Sequence, residues 1–199
     1  MIAIIDYGMG NLRSVQKAFE KVGTTAQITQ SREEINNAQR IVLPGVGAMR
    51  PAMEKLRNLN LIDTIQKVVA AEKPFLGICL GFQLLFETST EGGETKGLGI
   101  LKGTVKRFQQ LKVPQIGWNQ LHIQNTATPL FNGIENLSNV YFCHSYFVQP
   151  KNTDVTTTTT EYPMAFTSSV RKENVFGVQF HPEKSQTVGL KILKNFATL

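Results

Sequence analysis

The sequence predicts an α/β fold: a mainly parallel central sheet with helices on both faces and antiparallel additions at one edge. Two observations predict it. Through residues 1–86, short apolar runs alternate with segments whose apolar residues recur every three or four positions, the signature of successive strand and helix units. Beyond Glu87 the texture changes to β-rich runs separated by turn residues.

The elements follow in order. Residues 1–7 form an apolar run that should open a core strand. Asp6 near its end and the absence of a basic leader argue against a secretory signal or a membrane span, so the cytoplasm is the expected compartment. Gly8-Met9-Gly10-Asn11 is a turn, with Asn11 the expected N-cap of a helix carrying Leu12, Val15, Phe19 and Val22 and stopped by Gly23. Residues 25–29 make a second strand, Ser31 and Glu34 a capping box for a brief helix, and residues 40–43 a third strand broken by Pro44-Gly45-Val46-Gly47. An amphipathic helix over 61–71 leads to the apolar strand 75–78 and a helix over 80–86. After a loop at 91–94, the runs 99–108, 118–124, 140–148, 154–160 and 165–170 read as antiparallel additions. Residues 175–180 read as a strand returning to the core. The five threonines at 156–160 suit an exposed strand, and 187–199 a closing helix with Val188, Ile192, Leu193 and Phe196 near one face.

Composition bounds the function. A chain of 199 residues at 41% hydrophobic can bury one core well, and with no repeat or linker it is expected to form a single domain over 1–199. The net charge of +6 comes from scattered lysines and arginines, so a solvated basic surface is expected rather than nucleic-acid binding. Two cysteines, Cys79 and Cys143, are too few for a disulfide framework or metal cluster; both are expected reduced, and no metal or cofactor is expected.

Cys79 stands where an apolar strand becomes a helix, with Gly77 and Gly81 two residues to either side. A lone cysteine in an apolar run is commonly an inert core residue. The two glycines favour a nucleophile elbow, in which missing side chains let strand and helix crowd together and hold the central residue in a strained turn. A helix N-terminus beside the thiol would favour thiolate.

Three histidines are candidates for the base. His122 alternates with Leu121 and Ile123 and should face the polar side of its strand. His144 follows Cys143, so on a strand the two point opposite ways. His181 ends an apolar strand, and Pro182 holds it extended, setting Glu183 on the same side two residues on. Glu183 can then accept the Nδ1 proton and leave Nε2 for the thiol, completing a Cys, His, Glu triad able to form a thioester. For the oxyanion, the Leu80 N–H is one donor. The glycine-rich loop at 44–47, including Val46 and Gly47, is on the expected rim for the second. That loop could equally be a plain turn; no G-K-[ST] follows it, which argues against a nucleotide cradle.

These residues carry a resemblance. Gly77-Ile78-Cys79-Leu80-Gly81-Phe82-Gln83 with Gln179-Phe180-His181-Pro182-Glu183 is similar to the triad class (class I) of glutamine amidotransferase domains. Several further stretches resemble the HisH family, the glutaminase subunits of imidazole glycerol phosphate synthase. They are Asp6-Tyr7-Gly8-Met9-Gly10-Asn11, the 44–47 loop, Gly97-Leu98-Gly99 with Gly103-Thr104-Val105, Ile116-Gly117-Trp118-Asn119, His144-Ser145-Tyr146, and residues 181–186. Together they run almost from end to end.

The resemblance implies hydrolysis of L-glutamine to glutamate and ammonia by Cys79, His181 and Glu183. The ammonia would pass to a cyclase partner, a β/α barrel held as a heterodimer, which makes imidazole glycerol phosphate and an aminoimidazole carboxamide ribotide in histidine biosynthesis. It further implies a substrate pocket of Gly45, Gln83, Glu91, His144, Ser145 and Tyr146. It places Asn11, Trp118, Tyr141 and Lys184 toward the cyclase, and gives the 44–47 loop a switch that offers the Val46 amide only when the partner is loaded. Gln115 stands where a histidine is usual in that family, which bears on the interface. Two alternatives stay open: the same chemistry feeding a sugar-modifying synthetase, and a silent glutaminase-like subunit that only supports its partner.

Overall fold

All four residues of Ile2–Ile5 (β1) are buried, because both faces of the strand are covered. Ala3 and Ile5 pack into one apolar cluster and Ile2 and Ile4 into another, the two-residue alternation of a strand between helical layers. The computed structural model describes residues 1–109, 112–124 and 128–199. After β1 come Leu12–Lys21 (α1), Ala26–Thr29 (β2), Arg32–Asn37 (α2), Arg40–Gly45 (β3), Met49–Asn58 (α3), Ile62–Ala70 (α4), Phe75–Cys79 (β4) and Leu80–Gln83 (α5). The first cluster takes Ile35 of α2, Met53 and Leu56 of α3, and Ile65 and Val68 of α4. On the opposite face Val15 and Phe19 of α1 meet Ile192 and Phe196 of the C-terminal helix Gln186–Ala197.

The remaining strands are Phe86–Ser89 (β5), Thr95–Lys96 (β6), Leu101–Arg107 (β7), Gln115–Gln120 (β8), His122–Ile123 (β9), Asn139–His144 (β10), Tyr146–Pro150 (β11), Thr156–Glu161 (β12), Ala165–Lys172 (β13) and Val175–Val178 (β14); the C-terminal helix is α6. The main sheet runs β2-β1-β3-β4-β14-β13-β11-β7-β5-β6. Its first five strands are parallel, and antiparallel pairing begins where β13 meets β14. The expected fold class is therefore present, with β14 returning to the core beside β4. No helix among the described residues is long and apolar enough to cross a membrane.

Several elements differ from the sequence reading. The helix expected over 80–86 stops after one turn at Gln83, and Phe86 already begins β5. The carbonyls of Leu84 and Leu85 accept instead from Leu98 and Leu101, so the incoming chain takes the bonds a longer helix would use. The helix α3 is not announced by the sequence pattern because Pro51 interrupts it. Pro51 falls in the first turn, where the missing N–H costs nothing. The run 140–148 is two strands: Ser145 ends β10, which among the described residues pairs with β8 in a separate two-stranded sheet, while β11 joins the main sheet. The threonine strand is not exposed either. Thr157, Thr158 and Thr160 are buried, and the Thr157 and Ser169 hydroxyls lie 2.6 Å apart across β12 and β13.

Candidate active site

Cys79 closes β4 and caps α5 with φ 55° and ψ −110°, a backbone conformation disfavoured for any residue with a side chain. The flanking glycines explain how it is reached. A Cβ on Gly81 would stand 1.7 Å from the Leu43 carbonyl oxygen, and one on Gly77 2.8 Å from the Cα of Phe82. Strand and helix meet at a separation only glycine allows, and the strain sits on the residue between them. Because α5 is a single turn, what it offers the thiol is a few free N–H groups rather than the dipole of a full helix.

His181 is extended, with φ −100° and ψ 96°, ahead of the 3-10 turn Pro182–Lys184. Its backbone is pinned from two sides: its N–H donates to the Tyr141 carbonyl at 2.9 Å, and the Ser185 hydroxyl donates to its carbonyl at 2.7 Å. The ring Nδ1 lies 2.8 Å from Glu183 Oε1, both side chains nearly sealed from solvent. Burial alone would lower the imidazole pKa. Hydrogen bonds and charge from Cys79 and Glu183 outweigh it and push the pKa up to about 10. His144 is the opposite case. Burial, only partly offset by the hydrogen bond between Nδ1 and the Tyr146 carbonyl at 2.7 Å, takes its pKa down to about 4, with His181 adding to the fall.

Cys79 and His181 open into one cavity of about 250 Å³, whose walls include Val46, Gly47, Leu80, Gln83, Glu91, His144, Ser145, Tyr146 and Lys184. A larger cavity of about 550 Å³, lined by Phe108 and Phe147, has no cysteine or histidine among the described residues of its wall. Gly45 is not part of the wall around Cys79; it lies behind it, opposite Cys79 in the parallel register of β3 and β4. Glu91 accepts the Met49 N–H at 2.8 Å, tying its loop to the start of α3 just past Gly47. Gln83 donates to the Tyr146 carbonyl at 3.0 Å.

Of the four residues expected to face a partner, Trp118 and Tyr141 are neighbours across β8 and β10. Trp118, 48% exposed, sets its ring edge-on to Tyr141, its directly paired cross-strand neighbour, and the Lys184 ammonium stands 5.6 Å from the same ring. Asn11 occupies the N-cap position of α1, but its side chain makes no capping bond and stays exposed, contrary to the capping role expected for it. Gln115 is buried opposite His144, so the departure from the usual histidine lies behind the pocket and not on the outer face.

Sequence reasoning missed Gln179 and Tyr7. The Gln179 amide donates to the Cys79 sulfur at 3.7 Å and is fully buried; a glutamine closing an apolar run was the available signal. Tyr7 is buried with its hydroxyl against Gly45, which nothing in the sequence foretells. A strained thiol, an imidazole backed by a carboxylate and free N–H groups at a helix start together form a constellation suited to acyl transfer.

Residues 3–199 match the family model described as glutamine amidotransferase class-I. The chain is 50% identical to the imidazole glycerol phosphate synthase subunit HisH of Syntrophotalea carbinolica, covering 100% of both chains. It is also 50% identical to the subunit of that name from Moorella thermoacetica, covering 100% of this chain and 94% of the relative. Among solved structures, PurLQS from Thermotoga maritima superposes with a TM-score of 0.82 at 22% identity, covering 99% of this chain and 97% of that one. A crystal structure of a glutamine amidotransferase superposes at 0.79 with 17% identity over 100% of both chains.

Proposed function

The chain belongs to the class-I glutamine amidotransferase family, and from that premise we propose that residues 1–199 act as one glutaminase domain, the HisH subunit of an imidazole glycerol phosphate synthase. It hydrolyses L-glutamine and delivers ammonia to a cyclase subunit of β/α-barrel fold for histidine biosynthesis in the cytoplasm. The observation that carries the reading is the strained Cys79 sharing one cavity with His181, whose Nδ1 is held 2.8 Å from Glu183.

The chemistry runs through those groups. The Cys79 thiolate attacks the side-chain carbonyl carbon of glutamine, and the carbonyl electron pair moves onto oxygen. The Leu80 N–H and an amide of the 46–47 segment receive that oxyanion. His181, protonated through neutral pH, gives its Nε2 proton to the departing nitrogen; the C–N bond breaks, ammonia leaves and a thioester remains. Water then attacks the thioester as His181 takes its proton, and the C–S bond breaks, releasing glutamate and restoring the thiolate beside the protonated ring. Glu183 keeps the ring oriented and balances its charge. The neutral His144, with Ser145, Tyr146, Gln83 and Glu91, shapes the pocket for the rest of glutamine.

Ammonia must leave sheltered from water, since protonation ends its nucleophilicity. Asn11, Trp118, Tyr141 and Lys184 offer a face on which a partner can close the cavity. The test is Cys79→Ala in the complex. Glutamine-dependent synthesis should vanish while synthesis from added ammonia persists, and an undiminished glutamine rate would remove Cys79 from the mechanism. Pairing with a sugar-modifying synthetase instead would appear as stimulation by that partner alone.

A further inference from the structure

The Tyr7 hydroxyl is buried and, among the described residues, has no hydrogen-bond partner. A buried hydroxyl without a partner costs folding free energy that a phenylalanine would avoid. Its surroundings give it a use. A Cβ placed on Gly45 would stand 2.2 Å from the Tyr7 oxygen, 3.0 Å from the Leu80 Cβ and 3.1 Å from the Gly81 nitrogen. The hydroxyl therefore fills the space a side chain on Gly45 would need, where that glycine abuts the amide end of the elbow. Gly10 backs the same glycine: a Cβ there would lie 3.6 Å from the Gly45 Cα.

Strand order supplies the direction. β3 lies between β1 and β4, with Gly45 paired to Cys79 on the β4 side and Tyr7 arriving from the end of β1 on the other. The N–H and C=O of one peptide point to opposite sides of a strand. A 45–46 peptide that turns the Val46 N–H toward Cys79 consequently turns the Gly45 carbonyl toward the side from which Tyr7 comes. We propose that Tyr7 is a positioning residue for the oxyanion loop, its hydroxyl donating to the Gly45 carbonyl in the turnover arrangement and holding the Val46 amide on the oxyanion. This rests on the glutaminase reading above.

The hydroxyl's energy is then realised only in the turnover arrangement, so its removal lowers kcat and leaves glutamine binding alone. The experiment compares wild type and Tyr7→Phe in the complex with the cyclase partner. Expected for Tyr7→Phe are a kcat for glutamine-dependent synthesis lower by about tenfold, the worth of one hydrogen bond, and an unchanged KM for glutamine. The rate from added ammonia should be unchanged, and the melting temperature equal or higher. Wild-type kcat in Tyr7→Phe overturns the assignment, as does a rise in KM alone. A lower melting temperature also overturns it, because the hydroxyl would then have a partner at rest. A wild-type complex with no glutamine-dependent synthesis overturns the glutaminase reading itself, and this assignment with it.

Discussion

Gln179 donates its side-chain amide to the Cys79 sulfur across 3.7 Å, while its amide oxygen accepts from Gln83 at 2.9 Å. Gln83 is in turn anchored on the Tyr146 carbonyl. The sulfur is thus held by a polar chain that starts at the pocket wall. Hydrogen bonds to a charged group are worth about 1.5–3 kcal/mol. Replacing Gln179 by Met keeps the volume and removes the donor, so kcat/KM for glutamine should fall by about 10-fold to 100-fold. Steady-state kinetics on the complex, with circular dichroism to verify folding, measures this; unchanged kinetics would make the contact incidental.

The His181 and Glu183 pair predicts a pH signature. Contacts with Cys79 and Glu183 raise the folded-state pKa to about 10, against 6.5 for a free histidine. The stability this contributes is fully present below about pH 6.5 and is lost as pH rises through about 10. Glu183→Gln removes one charge and weakens one hydrogen bond, so the His181 pKa should fall, as read by NMR titration of the imidazole. Turnover should drop by about 10²-fold or more, since the ring loses its orienter. A His181 titration unmoved by the substitution would contradict the pairing.

His144 has the reverse sign. Its folded-state pKa is lowered to about 4, so on acidification the unfolded chain takes up its proton near pH 6.5 while the folded chain resists. Stability falls between those two values by about 3 kcal/mol from this group, an order-of-magnitude figure. In His144→Asn, which keeps an N–H donor for the Tyr146 carbonyl, urea denaturation at pH 7 and pH 4 should give a smaller difference than wild type. An equal acid loss in both would assign the acid sensitivity to other groups.

The parallel half of the fold was legible because both faces of its strands are buried, which turns them into unbroken apolar runs such as 75–78. The grouping of Cys79, His181 and Glu183 was legible because two local rules placed its members: glycines around Cys79, and Pro182 fixing the step from His181 to Glu183. Local rules failed where distant chain decides the outcome. Leu84 and Leu85 carry a helical pattern, yet their carbonyls are claimed by residues 98 and 101. Likewise Ser145 divides one apolar run between two sheets, a choice made by β8 and β7 as partners. Gln179 and Tyr7 meet Cys79 and Gly45 across strands far apart in sequence, and no spacing reveals that.

Trp118 is the residue on which partner binding should depend most. It is 48% exposed, rigid, and braced edge-on by Tyr141, whose ring also faces the Lys184 ammonium. Large aromatics of this kind dominate interface energies, with truncation often costing about 2 kcal/mol or more. Trp118→Ala should therefore weaken the Kd for the cyclase subunit by about 30-fold, measurable by titration calorimetry. His181 should not feel the change. Trp118 touches the Tyr141 ring, whereas His181 is held by the Tyr141 backbone carbonyl at 2.9 Å, and the β8 and β10 register that fixes that carbonyl does not depend on the indole. At saturating partner the variant should recover the wild-type kcat for glutamine. A Kd equal to wild type would take Trp118 out of the interface, and a kcat still depressed at saturation would mean that docking reaches His181 through this ring.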